Sequence, residues 1–237
     1  FDIHAGAIDL LFPHHENEIA QSEAATGKQF VKYWVHGEHL SVEGDKMSKS
    51  LKNDLTLRDL ETRRISPLAF RYLVLTSHYR SRLNFTWESL QAADSALTRI
   101  YDTILDLKTK KATGARTDSL ISRETEFLAA LSDDLNTPRA IGVIQESISA
   151  YHKNSESISA RALLAFLYKA DQVLSLGFKK IKPVAIPSDI QLKLTQREDA
   201  RARKDFARAD ALRAELTHLG WTIEDTAQGP RLKQTRS

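Results

Sequence analysis

The 237-residue sequence contains no cysteine, a single methionine and only nine glycines. The lack of cysteine excludes a disulfide scaffold and accords with a reducing compartment, so a cytoplasmic location is expected. No apolar run approaches the roughly 20 residues of a membrane span, and no signal-peptide pattern opens the chain. No membrane partner is therefore expected. The only methionine is Met47 and the chain opens on Phe1, so further residues are expected ahead of it. Charge of either sign is not in large excess: 34 basic against 31 acidic side chains give a net +3, with pI near 9.0. That balance permits a nucleic-acid partner without demanding one. There is no internal repeat and no extended low-complexity tract. What is present, 41% hydrophobic and 27% charged residues, suits one or two globular domains.

The first 45 residues mix glycine, histidine and short apolar runs. The stretch "FVKYWVHG" (30–37) alternates well enough for a buried strand. "HENEIAQSEAATG" reads as a helix stopped by Gly27. A polar loop follows, "VEGDKMSKSLKND". From Ser66 the pattern becomes helical. Pro67 after Ser66 is a start signal, Thr86 caps a longer helix, and Thr137-Pro138 opens another. Apolar residues recur at three-to-four spacing: Leu90, Ala93, Leu97 and Ile104, then Phe127, Leu128 and Leu131, then Ile141, Ile144, Ile148 and Tyr151, then Leu163, Leu164, Leu167 and Leu174. This predicts an antiparallel helical bundle. The Pro-containing linker "KKIKPVAIPSD" marks a domain boundary. One long basic helix is expected after it, with an apolar stripe of Phe206, Ala209, Leu212, Leu216 and Leu219. The end, "GWTIEDTAQGPRLK", predicts a hairpin turning at Gly-Pro. The fold class is thus mainly α, with an α/β start and a small α/β end.

Two motifs carry chemistry. In "DIHAGAIDLLFPHHENE", His14 and Glu18 are four apart, which on a helix puts them on one face within reach of one cation. By themselves they read more readily as a surface turn, and a closed zinc site needs about four ligands. Three histidines (His4, His14, His15), Gly6 and Asp9 in the same stretch strengthen the metal reading. Small residues at Ala5, Gly6 and Ala7 allow close approach of a ligand to the backbone. In "DKMSKS", Lys46 and Lys49 sit three apart among hydroxyls, suited to neutralising a departing polyphosphate, although such a loop is commonly just solvated.

Taken together, "FDIHAGAIDLLFPHHENEIAQSEA", "KMSKSLKN", "SHYRSRLNF" and "DDLNTPRA" resemble the second half of cysteinyl-tRNA synthetases, which are class I aminoacyl-tRNA synthetases. The resemblance runs along almost the whole chain. It implies the end of a Rossmann-type catalytic domain over 1–65, a helical bundle of the DALR kind over 66–182, and an anticodon-recognition domain over 188–237. It implies cysteine, ATP with Mg2+, and tRNA(Cys) as partners, and a monomer. It assigns His14 and Glu18 as two ligands of a Zn2+ whose other two, both cysteines, are expected upstream of Phe1. That zinc selects the substrate by its sulfur. A site built on one strong specific contact rejects an analogue lacking it by roughly 10⁴ to 10⁵. The resemblance further implies Asp9 near the ATP ribose with Gly6 beside the nucleotide, His4 and His36 lining the cleft, and Lys46 and Lys49 stabilising the transition state of adenylation. Three departures stand out. The family's Gly-Gly-Gly is Ala5-Gly6-Ala7, the glycine after KMSKSL is Lys52, and the H-I-G-H element that holds ATP is absent from these residues. The chain alone is therefore not expected to catalyse adenylation.

For the nucleic-acid half, Arg201, Arg203 and Lys204 are candidates to grip tRNA phosphates, and Trp221, Arg231 and Lys233 to meet the anticodon. Trp221 reads more readily as the hairpin's core residue. Tyr79, Arg80 and Arg82 either contact the tRNA stem or brace the bundle. Two rivals remain: an ATP-dependent ligase joining cysteine to an amino sugar, and a non-catalytic tRNA-binding fragment.

Overall fold

The structure is a computed structural model and describes residues 1–48, 53–110, 118–155, 158–183, 185–226 and 229–234. Two compact units emerge. One comprises Phe1–Leu57 and Ser66–Ile181, the other Arg58–Ile65 and Lys182–Ser237.

The first unit begins with strand β1 (Ile3–Ala7), helix α1 (Glu16–Thr26) and strand β2 (Tyr33–Gly37). β1 and β2 pair in parallel, with His4 opposite Trp34 and Gly6 opposite His36. Parallel neighbours need a crossover between them, and α1 with its flanking turns supplies it. Gly27 ends α1 at φ 65, a left-handed conformation that glycine adopts without a Cβ penalty. The strand expected over 30–37 is shorter and less buried than its alternation suggested, with Tyr33 68% exposed. Residues 30–32 are instead tied to the chain start, Lys32 N–H donating to the Phe1 carbonyl at 3.1 Å. A second small sheet follows, in which β3 (Leu40–Val42) lies between β4 (Asp45–Lys46), antiparallel, and β5 (Leu83–Phe85), parallel.

Helices α3 (Pro67–Leu75), α4 (Trp87–Thr109), α5 (Asp118–Ser132), α6 (Thr137–Lys153) and α7 (Ala160–Leu174) form the bundle. Their starts have local causes. Ser66 accepts from Leu68 N–H with Pro67 in the first turn. Thr86 and Ser89 form a reciprocal capping box. Asn136, rather than Thr137, caps α6. The expected stripes are the core: Leu90, Leu97, Ile104, Ile144, Leu163, Leu167 and Leu174 are fully buried, while Leu128 is exposed. Asp171 fixes the exit of α7 by accepting from the N–H groups of Leu176, Gly177 and Phe178 at 2.6, 3.1 and 2.8 Å.

The second unit contains most of the short helix α2 (Leu57–Thr62), then α8 (Ser188–Ala202), α9 (Phe206–His218) and the antiparallel pair β6 (Trp221–Thr226) and β7 (Gly229–Gln234). The single long basic helix expected here is two. The chain breaks at Arg203–Asp205, with Lys204 at φ 62 and the Asp205 carboxylate capping α9 by accepting from Arg208 N–H at 3.1 Å. The break resets the helical phase. Ala209, Leu212 and Leu216 are buried as expected, but Phe206 and Leu219, at the ends of the new helix, are exposed. The hairpin's Gly229-Pro230 lies in β7, opposite Thr226 and Asp225, so Gly-Pro is not the turn. Ile190, Leu194, Leu216, Trp221 and Leu232 make the core of this unit.

A candidate metal and nucleotide cleft

The period of two along paired strands sets the site. His4 and Gly6 share one face of β1, and their partners Trp34 and His36 share the corresponding face of β2. The turn into α1 brings His14 and His15 against that face. A cis Phe12–Pro13 bond and an extended Phe12 lie in this turn. Three rings pack closely: His4 stacks on Trp34 with centroids 4.8 Å apart, and His15 lies 4.8 Å from both His4 and Trp34. Beneath them only a glycine fits. A Cβ on Gly6 would stand 2.7 Å from His15 Cε1. Ala5 and Ala7 alternate to the opposite face of β1, so the departure from three glycines leaves unchanged the one that this packing requires.

Glu18, in the first turn of α1, reaches two imidazoles. Its Oε1 lies 3.4 Å from His14 Nε2 and its Oε2 lies 3.5 Å from His4 Nε2. Oε2 is buried and accepts no hydrogen bond. A buried carboxylate oxygen without a donor is costly, and a cation between it and the imidazoles removes that cost. The donor set of imidazole nitrogen and carboxylate oxygen therefore fits a divalent metal. His4, His15 and Glu18 offer ligand atoms within 4.8 Å of one another. Of the sequence-derived pair, this cluster holds Glu18 but not His14, which lies by the other carboxylate oxygen with most of its side chain exposed. His15 is spoken for on one side, its Nδ1 lying 2.8 Å from His36 Nε2. Burial, then the neighbouring His4 and His36, push its pKa below the ordinary histidine value, so it stays neutral.

The other cleft candidates are more open. Asp9 is exposed in the short helical turn after β1, 3.5 Å from His39 Nε2. Lys46 is exposed on β4. Asn53 holds the base of its loop, donating to the Lys46 carbonyl at 3.1 Å and accepting from Ser48 N–H at 2.8 Å. Lys49 and Lys52 lie outside the described residues.

The nucleic-acid candidates separate sharply. Trp221 is buried in the core of its unit and presents no open face for a base, which corrects its reading as a stacking platform. Arg201, Arg203 and Lys204 are exposed at the end of α8. Arg203 donates to the Asp199 carbonyl at 3.2 Å. The backbone of Arg231 pairs with Glu224; its side chain, and that of Lys233, lie outside the described residues. Tyr79 and Arg80 brace the bundle. The Tyr79 hydroxyl donates to Asp134 at 2.6 Å, and Arg80 Nε lies 2.7 Å from the same carboxylate.

Three family models match consecutive stretches. Residues 1–95 match the class I (C) tRNA synthetase catalytic domain, 126–179 the DALR domain, and 185–230 the cysteinyl-tRNA ligase anticodon binding domain. The three matches and the relatives together indicate the C-terminal part of a cysteine–tRNA ligase. The chain is 41% identical over 235 residues to cysteine–tRNA ligase 1 of Burkholderia lata, covering 98% of this chain and 47% of that protein. It is 42% identical over 244 residues to the cysteine–tRNA ligase of Chlamydia felis, covering 98% and 51%. The chain thus spans about half the length of these cysteine–tRNA ligases. A leucyl-tRNA synthetase from Agrobacterium radiobacter K84, solved in a ternary complex with tRNA and LeuAMS, superposes with TM-score 0.58 at 18% identity, over 74% of this chain and 25% of that one. That likeness shows the class I fold alone. Among the described residues no helix is long and apolar enough to cross a membrane.

His15, Trp34 and Asp134 were not singled out as site or anchor residues by sequence. The double histidine was the available signal for the first. For Trp34, only its alternation with His36 in a strand pattern was available.

Proposed function

We propose that this chain supplies the metal-bearing floor of the cysteine site and the tRNA-binding portion of a cysteine–tRNA ligase. The reaction joins cysteine to tRNA(Cys) at the expense of ATP, with release of AMP and pyrophosphate. Residues 1–65 act as the end of the catalytic domain, 66–182 as the bundle and 188–237 as the anticodon-recognition domain of a cytoplasmic, monomeric enzyme. The observation that carries the reading is the buried, donor-less Glu18 Oε2 beside His4, with the other carboxylate oxygen against His14, in a chain related to cysteine–tRNA ligases over 98% of its length.

His14 and Glu18 would hold a zinc ion, which when bound would favour a thiolate over a hydroxyl, the distinction between cysteine and serine. The chain's own residues do the rest. His4, His15 and Trp34 wall the cleft, and neutral His15 holds His36 in place without adding charge beside the cation. Asp9 takes a ribose hydroxyl. Lys46 and Lys49 neutralise the pyrophosphate of Mg-ATP as it leaves. The 237 residues hold no H-I-G-H element, so the chain by itself binds metal and tRNA but does not form the adenylate. The match of 185–230 to an anticodon binding domain sets this above the amino-sugar ligase. The retained His14 and Glu18 set it above a bare RNA-binding fragment.

Calorimetric titration with zinc tests it. The wild-type chain binds one ion, and Glu18→Gln weakens binding by about a hundredfold, or ~2.7 kcal/mol, with the far-UV spectrum unchanged. Equal affinity in the two proteins would remove the metal site, and with it the cysteine reading.

A further inference from the structure

A groove of about 510 Å3 runs along the outside of the bundle between α4 and α6. Its chemistry differs from that of the bundle surface around α5. There the cations are matched: Arg123 and Arg139 bind Glu146 and lie close to Glu126, and Lys169 binds Glu124. In the groove, Arg99 from α4 and Lys153 from the end of α6 form no ion pair among the described residues, and no carboxylate lines it.

Between the two cations the neutral polar groups are held in fixed orientation. The Thr103 hydroxyl, itself buried, donates to the Arg99 carbonyl at 2.9 Å. Its one proton is thereby used, so it accepts from His152 Nε2 at 3.2 Å. That places the His152 proton on Nε2 and leaves Nδ1 for another partner. On the same wall, Gln145 Nε2 donates to the hydroxyl of buried Tyr72 at 2.7 Å, which fixes the amide at the groove's edge. Ile100 and Ile148 give an apolar floor. Unneutralised cations, oriented polar groups and an apolar floor match alternating phosphates and sugars.

We infer that the α4–α6 groove binds an RNA phosphodiester backbone, with Arg99 and Lys153 on successive phosphates. This deepens the tRNA-binding reading and rests on it. The two cations read no base, so they contribute affinity and register and leave sequence selection to the second unit.

The test is binding of a tRNA(Cys) transcript, and of a 16-base-pair RNA duplex, to the full chain by fluorescence anisotropy between 50 and 300 mM KCl. Three proteins are compared: wild type, Arg99→Glu with Lys153→Glu, and Arg201→Glu with Arg203→Glu as a reference on the other unit. For the groove variant we expect affinity for both RNAs to fall about ten- to a hundredfold at 100 mM salt. The slope of log K against log salt should shrink by about one to two, in step with the two lost phosphate contacts. If reversal disturbs the circular dichroism spectrum, Arg99→Gln with Lys153→Gln decides, with the same change of slope and a smaller loss. A wild type that binds RNA and groove variants with an unchanged slope would overturn the groove while sparing the tRNA reading. A wild type that binds neither RNA overturns both. Tight binding of polyglutamate with no RNA binding would likewise overturn it, assigning the groove to an acidic protein.

Discussion

The cleft around β1, β2 and α1 and the bundle of α3–α7 belong to one compact unit, yet they use their side chains in opposite ways. In the bundle, Leu90, Ile104 and Leu163 are wholly enclosed and charged groups such as Arg123, Arg139 and Glu146 stand outside in pairs. In the cleft a histidine, His15, is enclosed, while Phe1, Ile3, Phe12 and Tyr33 are exposed. A buried leucine is held by non-directional packing, and its contribution scales with the area it removes from water. A buried histidine must instead be satisfied atom by atom, as the His15–His36 contact and the Gly6 gap satisfy it. The bundle is therefore built for stability and the cleft for placement.

The largest effect separates the two directly. Leu163 is 0% exposed in α7, so Leu163→Ala leaves a cavity costing about 2–5 kcal/mol. A urea titration should show a lower midpoint with the slope unchanged. Zinc affinity in the native baseline should stay as in wild type. If it fell in proportion, cleft and bundle would be a single cooperative structure and the contrast drawn above would be false.

A single methyl group makes the comparison sharper. Gly142 lies in α6, and a Cβ there would meet only Arg139 Nη1, at an ordinary 3.7 Å. Gly142→Ala should raise stability by about 0.5–1 kcal/mol through the lower entropy of the unfolded chain. Gly6→Ala adds the same methyl 2.7 Å from the His15 ring. It should displace His15 from His36 and weaken zinc binding severalfold, with little change in thermal unfolding. Melting curves and zinc titrations on the pair give the answer. A Gly6→Ala protein with wild-type metal affinity would show that the floor of the cleft is soft.

What could be read from the sequence follows the same division. Ser66-Pro67, Thr86 and Gly27 are signals that act within one turn of themselves, and each does in the fold what its chemistry dictates. His14 and Glu18 were legible because their ligand spacing is also helical. His4 as a third donor, His36 against His15 and Asp134 against Tyr79 were not, because those contacts join residues 14, 21 and 55 apart in sequence. The break at Lys204 escaped notice because no glycine or proline marks it. A lysine holds the left-handed position and Asp205 restarts the helix. Trp221 showed its strand but not its direction, and the packing of Ile190, Leu194 and Leu216 turned it inward.

The smallest effect concerns the link between cleft and bundle. Asp134 and Leu135, between α5 and α6, both adopt left-handed conformations, at φ 51 and 54, which cost non-glycine residues energy. They hold the Asp134 carboxylate against Tyr79 and Arg80, and the Tyr79 carbonyl in turn accepts from Glu38 N–H at 2.8 Å, two residues beyond His36. The Tyr79 hydroxyl first, and Arg80 second, hold the Asp134 carboxyl below the ordinary carboxylate range. A depressed carboxyl adds stability that is complete above its unfolded pKa and is lost as pH falls through the folded one. Asp134→Asn keeps the shape and removes the charge. The melting temperature of the variant should lie slightly below wild type, by a constant amount from pH 7 to 5. The gap should close as the pH drops below the carboxylate range. The group is exposed, so the gap should be the smallest of the three and should narrow in high salt. A gap that widened on acidification would mean that the carboxylate is held by something other than Tyr79 and Arg80, and that the bundle does not reach the cleft through them.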